Sequence, residues 1–218
     1  MRARRVAGRP VGARTLALVA AGGGLIGLGA AAMIRARLGV TPWDVLTTAV
    51  STRAGVSVGV AGALLSVGAY VLCAPFGRLP GWGNAVLLVG VSAAVDAALA
   101  VLAAPGSLPG RLALYGAGVP VVCLGVAMIV RADIGVGPLE MVMLVATDRS
   151  VPLVRARAVI EATTLALGWS LGGALGLGTA GFALAAGPLI AGWLRALGRV
   201  RRRRPGTPGP RPAGSGSP

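Results

Sequence analysis

The chain contains no histidine and no lysine, only two cysteines and only six acidic residues in 218. Lack of histidine excludes Ser-His-Asp and Cys-His nucleophilic sites and every His-ligated metal centre. Cys73 and Cys123 both lie inside apolar runs, so no disulfide framework is indicated, and nothing has metal-ligand spacing. Every basic residue is therefore an arginine; with so much Ala, Gly and Val, this reads as coding bias in a GC-rich genome. Charged residues make up 12% of the chain, about half the ~25% of a typical globular protein, too few to cover a soluble core. These absences predict a protein that is not an enzyme and carries no cofactor and no metal.

What is present is hydrophobic sequence: 55% of residues, with a mean hydropathy of +0.80. Several apolar runs reach the roughly 20 residues that a helix needs to cross ~30 Å of hydrocarbon. The net charge of +15 raises the question of nucleic acid, but its distribution answers it. Arg2, Arg4, Arg5, Arg9 and Arg14 precede the first apolar run, and Arg195, Arg199, Arg201 to Arg204 and Arg211 follow the last. Basic residues flanking membrane spans hold the ends in the cytoplasm and meet anionic headgroups. The expected partner is the lipid bilayer, not nucleic acid, and a homo-oligomer is left open.

Six long apolar segments are predicted, at 14–34, 56–75, 83–104, 112–131, 156–175 and 179–196. Two shorter ones, 42–52 and 138–147, would reach only ~15–18 Å at 1.5 Å per residue and read as half-helices. The Arg-rich start and the small residues at 30–32 superficially fit a cleaved signal peptide, but the internal equivalence described next argues that 14–34 stays. Residues 198–218 form a basic, Pro/Gly-rich tail expected to be disordered.

The strongest internal signal is a repeat. Residues 27–46 read GLGAAAMIRARLGVTPWDVL and residues 123–142 read CLGVAMIVRADIGVGPLEMV, in register at 96 residues without a gap. Arg35 meets Arg131, Gly39 meets Gly135, Val40 meets Val136, Pro42 meets Pro138, and Asp44 meets Glu140. The expected architecture is all-α: a basic start (1–13), a first membrane repeat (14–108), a second (109–197), and the tail. Three crossings per repeat is an odd number, so the second copy enters from the opposite side, the inverted arrangement of many secondary transporters. With both ends inside, Arg78, Arg149, Arg155 and Arg157 also fall inside, Arg131 at the inner boundary, and Arg35, Arg37, Arg53 and Arg111 outside, an inside excess.

The string LGVTPWDVL (38–46), the Gly-rich helix after it and GLGTAGFALAAGPLI (176–190) resemble the YczE/YyaS/YitT group of bacterial membrane proteins over most of 14–196. The resemblance implies a multi-span protein of the bacterial cytoplasmic membrane and no settled biochemical activity. In the second copy Leu139 replaces Trp43 and Glu140 replaces Asp44, confining any role that needs Trp or Asp to the first copy.

Candidate functional residues follow from these placements. Thr41, Pro42 and Asp44 form a capping-box variant, and Gly137, Pro138 and Glu140 repeat it with glycine as the cap. The carboxylates either finish the half-helix starts or offer themselves to substrate or proton in a central cavity. Arg35 and Arg131 either reach the headgroups or pair with Asp44 and Glu140 as gates on opposite faces. Asp96, placed ten or more residues from either end of its run, is a carboxylate in hydrocarbon, expected to be neutral, paired or facing a wet cavity. Glu161 is similar but nearer a helix end, where Arg157 could pair with it. Asn84 is a cap, an interhelical hydrogen bond or a site. Gly176-Leu-Gly178-Thr-Ala-Gly181 matches G-x-G-x-x-G formally, but no acidic residue follows and no strand precedes it, so a dinucleotide site is rejected. Two functions remain: a small-molecule or ion transporter with its site at the repeat interface, or a non-transporting accessory or scaffold of another membrane or biosynthetic system.

Overall fold

The computed structural model describes residues 13–133 and 135–198; expectations for the basic stretch 1–12 and for the tail from 199 lie outside the described residues. The described chain is all-helical: α1 (Ala13–Ala36), α2 (Pro42–Ala54), α3 (Val58–Cys73) with a single 3-10 turn (Ala74–Phe76), α4 (Trp82–Val101), α5 (Leu108–Ala132), α6 (Pro138–Asp148), α7 (Leu153–Ser170) and α8 (Leu177–Ala196). Several boundaries have a local cause. Thr41, Ser57 and Ser107 accept the amides of Asp44, Val60 and Gly110 at the starts of α2, α3 and α5. Left-handed Gly55 and Gly77 close α2 and the 3-10 turn. The two short segments are helices of 13 and 11 residues, as their length predicted.

Five of the described helices, not the expected six, are long and apolar enough to cross a membrane: α1, α3 with its 3-10 turn, α4, α5 and α8. The exception is α7, because Arg155, Arg157 and Glu161 interrupt its 18 residues. It also ends at Ser170 rather than 175, where Gly172, at φ +83°, turns the chain.

Helix starts recur along the chain 95 or 96 residues apart, α1 with α5 through α4 with α8. Arg37 and Asp133, one repeat apart, both adopt the uncommon left-handed conformation, at φ 54° and 51°. The centre is the α1–α5 crossing, built on glycine. A Cβ on Gly22 would fall 3.0 Å from the Gly125 carbonyl oxygen, and one on Gly29 would fall 2.7 Å from that of Gly118. Gly22 and Gly118 are equivalent positions, as are Gly29 and Gly125, so the two contacts are the same contact made twice. They also require α1 and α5 to run antiparallel. Gly23 faces Leu87 and Val91 while Gly27 faces Ala94 and Val95, so α4 runs parallel to α1. Smooth faces of this kind let helices approach where lipid supplies no hydrophobic drive.

The short helices bridge the halves: α2 packs on α7 as well as on α3, and α6 on α3 as well as on α7. Val45 and Leu46 lie against Gly168, Thr48 Oγ1 accepts the Ala174 amide at 3.1 Å, and Arg53 Nε donates to the Leu171 carbonyl at 2.9 Å. On the other side Tyr70, Cys73, Met141 and Val145 form a cluster, Arg78 pairs with Asp148, and Arg149 lies 3.9 Å over the Phe76 ring. Outward-facing Val71, Leu72, Val89 and Leu184 are exposed. One pair of helices breaks the correspondence. α3 packs along α4, whereas α7 and α8 stand apart and leave a groove of about 700 Å³ between them.

Candidate functional site

The groove is built from three elements. The α7 wall carries Ala158, Glu161, Ala162 and Leu165, the α8 wall Leu177, Thr179, Ala180 and Ala183, and Pro42 closes one end at the start of α2. Glu161 is the only charged side chain in this lining. Its Oε1 accepts a bond from Arg157 Nε at 2.8 Å, one helical turn back. The expected Arg157 partner is therefore the one found. Glu140 stands at the start of α6, which packs against both α3 and α7, and is not part of this lining.

The half-helix starts are as expected in local geometry. Thr41 Oγ1 accepts the Asp44 amide at 3.2 Å and donates to Asp44 Oδ2 at 2.8 Å, with Pro42 at the first helical position. In the second copy Glu140 folds back over Gly137, and a side chain at Gly137 would run into it. Inside α2, Thr47 and Thr48 donate to the carbonyls of Trp43 and Asp44, which lets a short polar helix sit buried.

Other expected residues do not come to the groove. Asp96 lies five residues from the end of α4, not ten or more from either end. Its Oδ1 accepts the Gly59 amide at 2.7 Å and its Oδ2 the Ser57 hydroxyl, so the carboxylate sits on the N-terminus of α3. A helix N-terminus and a donated amide are favourable partners for a carboxylate. Arg35 donates to the Leu99 carbonyl in the last turn of α4, and Arg131 Nη1 to the Gly198 carbonyl just past α8, at 3.1 Å. Each caps the C-terminal end of the fourth helix of its own half. Neither pairs with Asp44 or Glu140; the ion pairs among the described residues are Arg78–Asp148 and Arg157–Glu161.

Thr179, Leu38 and Tyr115 had no distinct signal in the sequence, whereas Asn84 was expected there as a cap, an interhelical hydrogen bond or a site. The α1–α2 loop docks on the start of α8, where Val40 N–H donates to Thr179 Oγ1 at 3.2 Å and Gly178 N–H to the Leu38 carbonyl at 2.7 Å. The α5–α6 loop docks likewise on α4, where Asn84 Nδ2 donates to the Val136 carbonyl at 2.7 Å. Val40 and Val136 are repeat equivalents, so Asn84 is an interhelical strut as well as the cap of α4. Arg111 donates to the carbonyls of Ala36 and Arg37, closing the end of α1. Gly176 and Gly178, of the G-x-G-x-x-G string, are glycines because Leu38 and Tyr115 lie against them.

Comparison with known proteins agrees with the membrane reading. A family model described as "Family of unknown function (DUF6198)" matches residues 13–195. An "Uncharacterized membrane protein YczE" of Bacillus subtilis (strain 168) is 30% identical over 148 residues, 65% of this chain and 67% of the relative. An "Uncharacterized protein" of Haemophilus influenzae (strain ATCC 51907 / DSM 11121 / KW20 / Rd) is 26% identical over 179 residues, 81% of each chain. No solved structure matches the chain.

Proposed function

The chain belongs to the DUF6198 family, is a multi-pass helical membrane protein akin to YczE, and on that premise we propose that it is a small-molecule carrier built as two inverted repeats, with its site in the α7–α8 groove. The groove carries this reading: an opening of ligand size beside the start of a half-helix, with a carboxylate in its wall. The antiparallel Gly22–Gly125 and Gly29–Gly118 contacts support the inversion, because equivalent helices running in opposite senses are related by an axis across them. α2 starts at the end of the bundle where α1 stops and finishes where α3 begins, which that same geometry puts at one end. A single straight helix with both ends there is not a crossing, which leaves α1, α3 and α4 as the crossings of the first repeat and α5, α7 and α8 as those of the second. On this reading α7 is the sixth crossing despite its charges. The end bearing Arg78, Arg131, Arg149 and Arg195 faces the cytoplasm of a bacterial inner membrane, with both termini. The protein works by binding and release, not by covalent chemistry.

The second reading, an accessory or scaffold, draws on the close glycine-packed α1–α5 centre, where a carrier of this symmetry would be expected to hold its ligand. One experiment separates them. Ala162 is changed to Cys in a chain whose Cys73 and Cys123 are Ala, and tested with membrane-impermeant and permeant thiol reagents in cells and inverted vesicles. The carrier reading expects reaction with the impermeant reagent from at least one face. Reaction with the permeant reagent alone would mean a groove filled by lipid, and the accessory reading would replace it.

A further inference from the structure

We infer that the molecule is two bodies of four helices that rock against one another, with Asp96 as the releasable latch of the seam that is closed. The inference deepens the carrier reading, which gives the motion its purpose, but it rests on how the helices are bonded. The first body is α1, α4, α5 and α8, the first and fourth helices of both halves, and the second is α2, α3, α6 and α7. Within the first, α1 packs on α4 and α5, and α5 on α8; within the second, α2 and α6 each pack on α3 and α7. Between the bodies α3 lies along α4, whereas the groove separates α7 from α8.

Hydrogen bonds draw the same line. In the first body Arg35 reaches Leu99, Tyr115 reaches Gly178 and Trp193 reaches Pro120. The loops ahead of α2 and α6 are fastened to this body as well, by Thr179 and Asn84, so the division falls at Pro42 and Pro138. In the second body Arg53 and Thr48 tie α2 to the chain after α7, and Arg78 ties the turn after α3 to Asp148 of α6. Among the described residues, two side chains bond across the line. Asp96 takes the Gly59 amide at 2.7 Å and the Ser57 hydroxyl, and Tyr70 Oη makes a long bond of 3.4 Å to the Val136 carbonyl. Bonds to an ionised acceptor are roughly twice as strong as neutral ones, so Asp96 dominates this boundary. Elsewhere the bodies meet through apolar clusters, one holding Val45 and Val122 and the other holding Tyr70 with Leu88 against it, and such contacts have no direction to break. Inverted halves of one plan exchange roles when the bodies rock: α3 leaves α4 as α7 closes on α8, and the opening passes from one seam to the other.

The test is distance measurement by double electron–electron resonance on the full chain in phosphatidylcholine nanodiscs. Nitroxides are attached to pairs of cysteines replacing Val60, Val101, Leu167 and Leu184, all exposed, in the chain whose Cys73 and Cys123 are Ala. Positions 60 and 167 lie on the second body, 101 and 184 on the first. Releasing the latch with Asp96→Ala should lengthen 60–101 by about 2 Å or more and shorten 167–184, the scale of a domain rearrangement. The distances within a body, 60–167 and 101–184, should stay as they are. If Asp96→Ala does not fold, Gly59→Ala decides, since its Cβ would meet the Ser92 carbonyl and pry the same seam with the charge in place. Seam distances that stay fixed would overturn the inference. A change at 60–101 alone would overturn it too, as local fraying of α3, and so would within-body distances that move with the seams. Coupled seams, with the thiol of the Ala162→Cys chain closed to the impermeant reagent, would retire the carrier and leave the two bodies standing. An accessible thiol in that chain with fixed seams would do the reverse.

Discussion

The first half of the molecule is closed where the second is open, although both follow one helical plan. In the first half α3 lies along α4, and its N-terminus is fastened by Asp96, which takes the Ser57 hydroxyl and the Gly59 amide. Gly59 is needed for that approach, since a Cβ there would fall 2.7 Å from Asp96 Cγ. At the 95-residue spacing of these helices the same three positions are Pro152, Val154 and Ala191, which can neither donate, nor fit, nor accept. The seam between α7 and α8 therefore lacks both its latch and its clearance, and a groove remains. The lesson is that two halves with the same order of helices can differ at a single seam, through three small pieces present in one and absent in the other.

The common plan can be broken at its centre, where the largest effects are expected. Gly29→Leu and Gly125→Leu should each cost more than the ~1–3 kcal/mol of ordinary overpacking, because Val122 and Ile26 backbone atoms lie within 2.8 Å of the new Cβ atoms. Yield of monodisperse protein and thermal unfolding in detergent would report it. Gly24→Ala and Gly90→Ala, with open space around them, should change nothing. If the two leucine variants behaved differently from one another, the equivalence of the halves at the crossing would be lost.

The latch comes next. Asp96→Ala should destabilise by about 1–2 kcal/mol, the usual effect of removing a helix cap whose amide is left unpaired. Ala191→Asp in the second half should give no gain, having nothing to receive. An unchanged melting temperature in Asp96→Ala would show that the seam closes on packing alone. Smaller again is the loss of a C-terminal cap: Arg35→Ala and Arg131→Ala should each cost roughly 0.3–1 kcal/mol, the more sheltered Arg35 the greater share. Arg78→Ala, which breaks a pair with Asp148 on the surface, should shift unfolding by at most about 1 kcal/mol.

Helices were the most legible feature of the sequence. Hydropathy placed all eight segments within a few residues, because in this chain apolar length is nearly the whole of the signal. The ungapped string around Arg35-x-x-x-Gly39-Val40-x-Pro42 recurs 96 residues on, and at that same spacing Arg37 and Asp133 share a left-handed conformation in the structure. Partnerships were less legible. Asp96 looked isolated because its partners, Ser57 and Gly59, are about forty residues away, and an amide donor leaves no mark in the sequence. Arg35 and Arg131 invited pairing with carboxylates nearby in the chain, yet a guanidinium at a helix end is served as well by backbone carbonyls, which every sequence supplies. The groove itself could not be read, since it consists of the contact that α7 and α8 do not make.

The central claim is that the two halves are inverted, and one pair of equivalent residues tests it directly. Arg37 and Asp133 are both exposed, both left-handed, and each follows the first helix of its half. Single cysteines at these positions, in the chain lacking Cys73 and Cys123, would be labelled with an impermeant maleimide in intact cells and in inverted vesicles. Inversion predicts that position 37 reacts from the outer face and position 133 from the inner face. Reaction of both from the same face would contradict it, and the carrier built on that symmetry would go with it.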